Sequence, residues 1–299
     1  MSVNKFQILT NIHQQTRISF EGNMAAEQRI RNLANSTFAS TPWNNVGGTW
    51  HKKLPYFYHS ESNALQNLEI WIPPSETSPA ADASLAKPGL WVLYIHGGAW
   101  RDPLVDSSSF LPTIQKIHSN GPLENVAGYA SINYTLSPHP KHPTHPSDGT
   151  DPSRNGKHGA HMHDVQCGIE FLQKLYGFGS NYILLGHSCG ATLAFQQVMF
   201  SKTLPEIQKP KCIVGLNGIY DLPNLIKDAG PKHGHLAPLY EQFTRSAFGD
   251  DERSWYVVSP VSMTDWASLW VEGELAVLVQ SQRIVWCHII SLRECGQGF

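Results

Sequence analysis

From Asn67 onward, apolar runs of strand length alternate with stretches whose apolar residues recur at helical spacing. NLEIWIP (67–73) alternates like a half-buried strand, and PSETSPAADASLAKPG (74–89) is a polar, Pro-bearing loop. Then come LWVLYI (90–95), a helical pattern near Ser109–His118, VAGYASINY (126–134) and a helical pattern near His163–Leu175. YILLG (182–186), a helical pattern near Ala191–Phe200, CIVGLNGIY (212–220) and LAVLVQ (275–280) complete the series. Such alternation predicts an α/β fold with a mostly parallel central sheet, its strands joined by crossover helices. Runs that are apolar on both sides predict helices on both faces of that sheet.

The first fifty or so residues are polar, with weak helical periodicity around Ala25 to Leu33. The expected division is a poorly ordered N-terminal extension over 1–54 and one folded domain over 55–299, with an atypical tail at 282–299. No internal repeat is present. The one biased tract lies between Ser137 and His163, where His139, His142, His145, His158, His161 and His163 are interspersed with prolines. Zinc ligands need fixed spacings on held elements, so a surface loop near the mouth of the site is expected there, with no metal.

Composition narrows the function classes. With 299 residues, 41% of them hydrophobic, the chain can bury one large core, and a net charge of −2 without like-charge runs offers nothing to nucleic acid or an anionic membrane. The five cysteines (Cys167, Cys189, Cys212, Cys287, Cys295) are scattered and odd in number, which suits thiols in a reducing compartment. The N-terminus MSVNKFQILTNIHQQTR lacks a secretory apolar core, and no segment approaches the roughly 18 apolar residues of a membrane span. A cytoplasmic protein acting on a small molecule is expected, with a homodimer compatible with the sequence.

Two motifs carry chemistry. GHSCGA (186–191) follows an apolar strand and precedes a helix, the setting of a nucleophile elbow, which makes Ser188 the candidate nucleophile. HGGAW (His96, Gly97, Gly98, Ala99, Trp100) directly follows strand 90–95, and adjacent glycines there let backbone N–H groups approach a ligand. Together, in this order, they predict an α/β-hydrolase whose oxyanion hole is made by an N–H of Gly97 or Gly98 and that of Cys189. Trp100 has two readings, a platform for an aromatic substrate and plain core.

HGGAW, ASINYTLSPHPKHPTHPSD and HDVQCGIEFLQKLYGFGSNYILLGHSCGATLAFQ, with NLEIWIP and NGIYDLP, resemble the kynurenine formamidases (arylformamidases), particularly the fungal type, over roughly 55–281. The resemblance implies hydrolysis of N-formyl-L-kynurenine to L-kynurenine and formate, in tryptophan degradation and the route to NAD, without a cofactor. It also implies an acid soon after the strand LAVLVQ and a histidine some tens of residues later.

The tail QRIVWCHIISLRECGQGF holds no acid just after Ser281. The fold is therefore expected to lack its last strand and helix, as an altered reading frame, an alternative splice or a gene-model error would produce. His288 is expected inside a β-like run, Asp221 is a candidate acid or a solvated turn residue, and His233 and His235 lie in a Gly and Pro-bearing stretch. Strand 275–280 would be an apolar edge unless the tail covers it. Two other functions stay open: a small-acyl carboxylesterase, which shares the apparatus, and a hydrolase-like binding protein without turnover.

Overall fold

The computed structural model describes residues 32, 36–46, 48–56, 62–73, 89–121, 123–201, 207–280 and 286–291. Their nine strands form one sheet in the order β1-β2-β3-β5-β4-β6-β7-β8-β9. The ranges are β1 (Asn44–Val46), β2 (Thr49–Pro55), β3 (Asn67–Ile72), β4 (Leu90–Ile95), β5 (Val126–Ile132), β6 (Tyr182–His187), β7 (Cys212–Leu216), β8 (Leu275–Gln280) and β9 (Trp286–Ser291). The central run β5-β4-β6-β7-β8 is parallel, and the flanking pairs β1–β2, β2–β3, β3–β5 and β8–β9 are antiparallel.

The crossovers are helical, as the periodicity predicts: α1 (Leu111–Ser119) links β4 to β5, α2 (His158–Tyr176) links β5 to β6, and α3 (Cys189–Met199) links β6 to β7. Beyond β7 lie α4 (Leu222–Lys227), a short turn of helix and α5 (Ala237–Phe248). One sheet face packs Trp71, Tyr94 and Tyr129 against Phe110 and Ile114. The larger core on the other face includes Leu93, Ile132, Val165, Ile169, Leu184 and Leu193. The all-apolar runs thus mark strands covered on both sides.

Three boundaries differ from expectation. The domain does not begin at residue 55, because β1 and β2 extend the sheet through pairing with β3. Phe38 is buried, and the Lys52 Nζ, between the Phe38 and Trp43 rings, donates to the Phe38 carbonyl at 2.7 Å. The polar character of β2 conceals it, since its lysines and His51 are held by partners distant in sequence. Residues 1–31 of the expected extension, the loop 74–88 and the segment 281–285 lie outside the described residues.

Second, the His-rich surface loop is shorter than predicted. Helix α2 begins at His158, and His158 and His161 are buried in it. Third, the tail returns as β9, antiparallel to β8 with Leu278 opposite His288. Only 281–285 separate the two strands, and a parallel return needs about a dozen residues, so the hairpin direction is forced. The edge of β8 is therefore paired, and His288 lies within a strand.

At the other side of the sheet, buried Glu69 ties β2, β3 and the segment after HGGAW together. Its carboxylate contacts His51 Nε2 at 2.9 Å, accepts from Ser107 Oγ at 2.7 Å and faces Lys53 Nζ at 3.3 Å. Burial alone would push its pKa up, but the bonds from His51 and Ser107 and the Lys53 charge outweigh that and lower it from 4.5 to about 2. The folded value lies below the unfolded one, so this carboxylate contributes stability that is fully present above pH 4.5 and is lost as the pH falls toward about 2. Glu69→Gln is expected to cost about 2–3 kcal/mol at pH 7, with a gap from wild type that narrows through that window. Urea unfolding midpoints taken across the acid range check it; a gap independent of pH would refute the assignment.

Candidate active site

Ser188 stands at the junction of β6 and α3 with φ 53° and ψ −123°. An L-residue adopts this backbone at a cost of order 1–3 kcal/mol, and only when its surroundings impose it. Here they do. The Ser188 N–H donates to the Leu216 carbonyl of β7 at 2.8 Å, and Ala191 N–H donates back to the Ser188 carbonyl at 3.0 Å. Glycines on both sides make the crossing possible: a Cβ on Gly186 would lie 2.4 Å from the Gly190 carbonyl oxygen, and one on Gly190 would lie 2.2 Å from that of Ile95.

The HGGAW segment leaves β4 and turns directly against this elbow. A Cβ on Gly97 would sit 2.9 Å from His187 Nδ1 and 3.2 Å from Ser188 Cβ. Gly98, Ala99 and Trp100 all have positive φ (94°, 49° and 59°), a strained run that only the first residue adopts freely. The turn closes through Arg101 and Asp102, whose N–H groups both donate to the Gly98 carbonyl at 3.0 and 2.8 Å.

Two side chains hold the turn to the elbow. Trp100 N–H donates to Cys189 Sγ at 3.3 Å, and Tyr134 Oη lies 3.1 and 3.2 Å from the carbonyl oxygens of His96 and Gly97 and 3.6 Å from Cys189 Sγ. Burial pushes the Cys189 thiol up to about 11, so it stays neutral at ordinary pH and serves as a hydrogen-bonding strut. His96 stacks on Tyr134 at 4.4 Å with Nδ1 2.9 Å from the Gly97 carbonyl. Burial lowers its pKa to about 4, so the ring is neutral and shapes the turn. The sequence does not single out Tyr134: an aromatic two residues past a strand is too common to mark, and its role arises from three groups remote in the chain.

Trp100 resolves toward core. It is fully buried, edge-on to Phe248 at 5.0 Å and near Phe243 at 5.8 Å, both on α5. Asp221 is the N-cap of α4 and accepts Asn224 N–H at 3.0 Å, as the turn reading expects. His233 and His235 are exposed, away from the core.

An elbow serine under strain with a glycine turn packed on it is the arrangement of a hydrolase. A kynurenine formamidase-like hydrolase of Fusarium equiseti is 40% identical over 231 residues, spanning 76% of this chain and 74% of that protein. The chain belongs to the kynurenine formamidase family. A kynurenine formamidase of Aspergillus versicolor is 32% identical over 246 residues, 76% of this chain and 80% of that protein. No protein-family model matches the chain. Among solved structures, a C6-C4 SN3 inhibited esterase B from Lactobacillus rhamnosis superposes with a TM-score of 0.50 at 12% identity, covering 85% of this chain and 70% of that one. This family member thus has the α/β-hydrolase fold and is a hydrolase. Among its described residues no helix is long and apolar enough to cross a membrane.

Proposed function

We propose that this member of the family hydrolyses N-formyl-L-kynurenine to L-kynurenine and formate, with Ser188 as nucleophile. The observation that carries the reading is the seating of the glycine turn on the elbow, with the Gly97 Cβ position 3.2 Å from Ser188 Cβ. The names of the two relatives support the choice of substrate. In this reading Ser188 Oγ attacks the formyl carbon as a base takes its proton, and the negative oxygen is held by the Cys189 N–H at the start of α3 and an N–H of Gly97 or Gly98. The C–N bond breaks as the arylamine takes up a proton, and water then releases formate from the formyl-serine. The sequence is redox-neutral and calls for no cofactor.

A formyl group carries only hydrogen beside its carbonyl, so the tight packing of turn on elbow suits it. The activity would belong to tryptophan degradation and the route to NAD, in the cytosol, in a chain compatible with a homodimer. A second reading, binding without turnover, is favoured by the commitment of Asp221 to helix capping and of His288 to β9.

Three assays separate the readings. Hydrolysis of N-formyl-L-kynurenine beside a short p-nitrophenyl ester decides between formamidase and carboxylesterase, and a large preference for the ester overturns the formamide assignment. Fast labelling by a fluorophosphonate, lost in Ser188→Ala, excludes binding without turnover. Neither labelling nor turnover would leave that second reading in place.

A further inference from the structure

The residue that follows HGGAW is a buried cation without an ion pair among the described residues. Arg101 is only 4% exposed, and its guanidinium, which has five N–H donors, reaches the neutral side-chain oxygen of Gln242 on α5 at 3.0 Å. Among the described residues it forms no ion pair. Its acidic neighbour, Asp102, is engaged elsewhere: its Oδ1 accepts Leu104 N–H at 2.9 Å and lies 3.5 Å from His142 Nε2. Burial pulls the Arg101 pKa down, and the Asp102 charge only opposes that.

A buried guanidinium is costly unless an anion meets it, and its planar fork suits a carboxylate. Its place in the fold says whose carboxylate. Arg101 rides on the turn that packs on Ser188: its own N–H closes that turn on Gly98, and the preceding N–H is fixed to Cys189 Sγ. Helix α5, which Arg101 reaches through Gln242, is also the helix whose Phe243 and Phe248 enclose Trp100.

We propose that Arg101 binds the α-carboxylate of the substrate, so that the site selects formamides carrying a free carboxylate over those without one. This rests on the formamidase reading, and it adds a residue that sets specificity outside the nucleophile and the oxyanion turn. The contact would be a bidentate, charge-assisted pair, made alongside or in exchange for the Gln242 bond.

The test compares N-formyl-L-kynurenine with its methyl ester, which keeps the formamide and the α-amino group and lacks only the carboxylate charge. The wild-type protein is expected to prefer the acid. Arg101→Gln should raise KM for the acid by about tenfold or more, the loss of one charged pair, and change the methyl ester by less than about twofold. Arg101→Lys should recover part of the preference, and Gln242→Ala, which removes the neutral partner alone, should retain it. Equal losses on both substrates in Arg101→Gln would reduce Arg101 to a strut for α5, and a wild type indifferent to the charge would overturn the proposal. Should the protein cleave neither formamide, the formamidase reading falls by itself. Equilibrium binding of L-kynurenine against its methyl ester then decides for Arg101: a preference lost in Arg101→Gln supports it, and no preference refutes it.

Discussion

Ser188→Ala is expected to lower kcat/KM for N-formyl-L-kynurenine by at least about 10⁴-fold, with any residual rate coming from binding and the oxyanion turn. The fold should not notice the change. Ser188 makes no side-chain capping bond to α3, its φ of 53° is set by the bonds of its backbone to Leu216 and Ala191, and both survive the substitution. Unfolding free energy within about 0.5 kcal/mol of wild type is therefore expected. This separation of activity from stability is the signature of a nucleophile. Activity retained to within tenfold would move the chemistry to another group, and Cys189 is not that group, because its thiol is buried, protonated and bound to the turn.

Gly190→Ala should do the reverse and destroy the scaffold. The added methyl would lie 2.2 Å from the Ile95 carbonyl oxygen and 2.6 Å from that of His96. Both are backbone atoms at the end of the central strand β4, so no rotamer change can relieve the overlap. Either α3 lifts off the sheet or β4 shifts and carries HGGAW with it. A loss of at least about 3 kcal/mol is expected, at the upper end for overpacking, together with loss of fluorophosphonate labelling. Gly149→Ala is the control: nothing lies within 4 Å of its Cβ position, and its stability should stay near wild type. Urea unfolding of the three proteins measures both; a Gly190→Ala protein as stable as the control would mean that the elbow is looser than described.

The same atoms explain why the site was so legible in the sequence. A backbone crossing this close tolerates only glycine at 186 and 190, and the turn pressed on Ser188 leaves little room for a Cβ at 97, so the geometry writes itself into residue type. The parallel core was equally plain, because strands covered on both faces are apolar throughout, and LAVLVQ falls on the observed strand residue for residue. Where the constraint is on a partner instead of on the residue, the sequence is silent. His158 and His161 look like loop histidines among prolines, yet the core shelters them uncharged, with burial holding the pKa of His158 down to about 3. Lys52 looks like a surface lysine until the Phe38 carbonyl and two aromatic rings close over it.

The sequence by itself determined the alternation of strands and helices from β3 to β8, the elbow serine and the glycine turn, because each depends on local periodicity or on a steric limit at a single position. Only the tertiary structure decided that the sheet begins at β1, that the tail turns back antiparallel on β8, that Asp221 caps a helix, and that Tyr134 and the Cys189 thiol clamp the turn. It alone shows Arg101 buried with no ion pair among the described residues. The reason is common to all of these: a charge, a hydroxyl or a strand edge takes its role from what stands opposite, and those neighbours come from segments far apart in the chain.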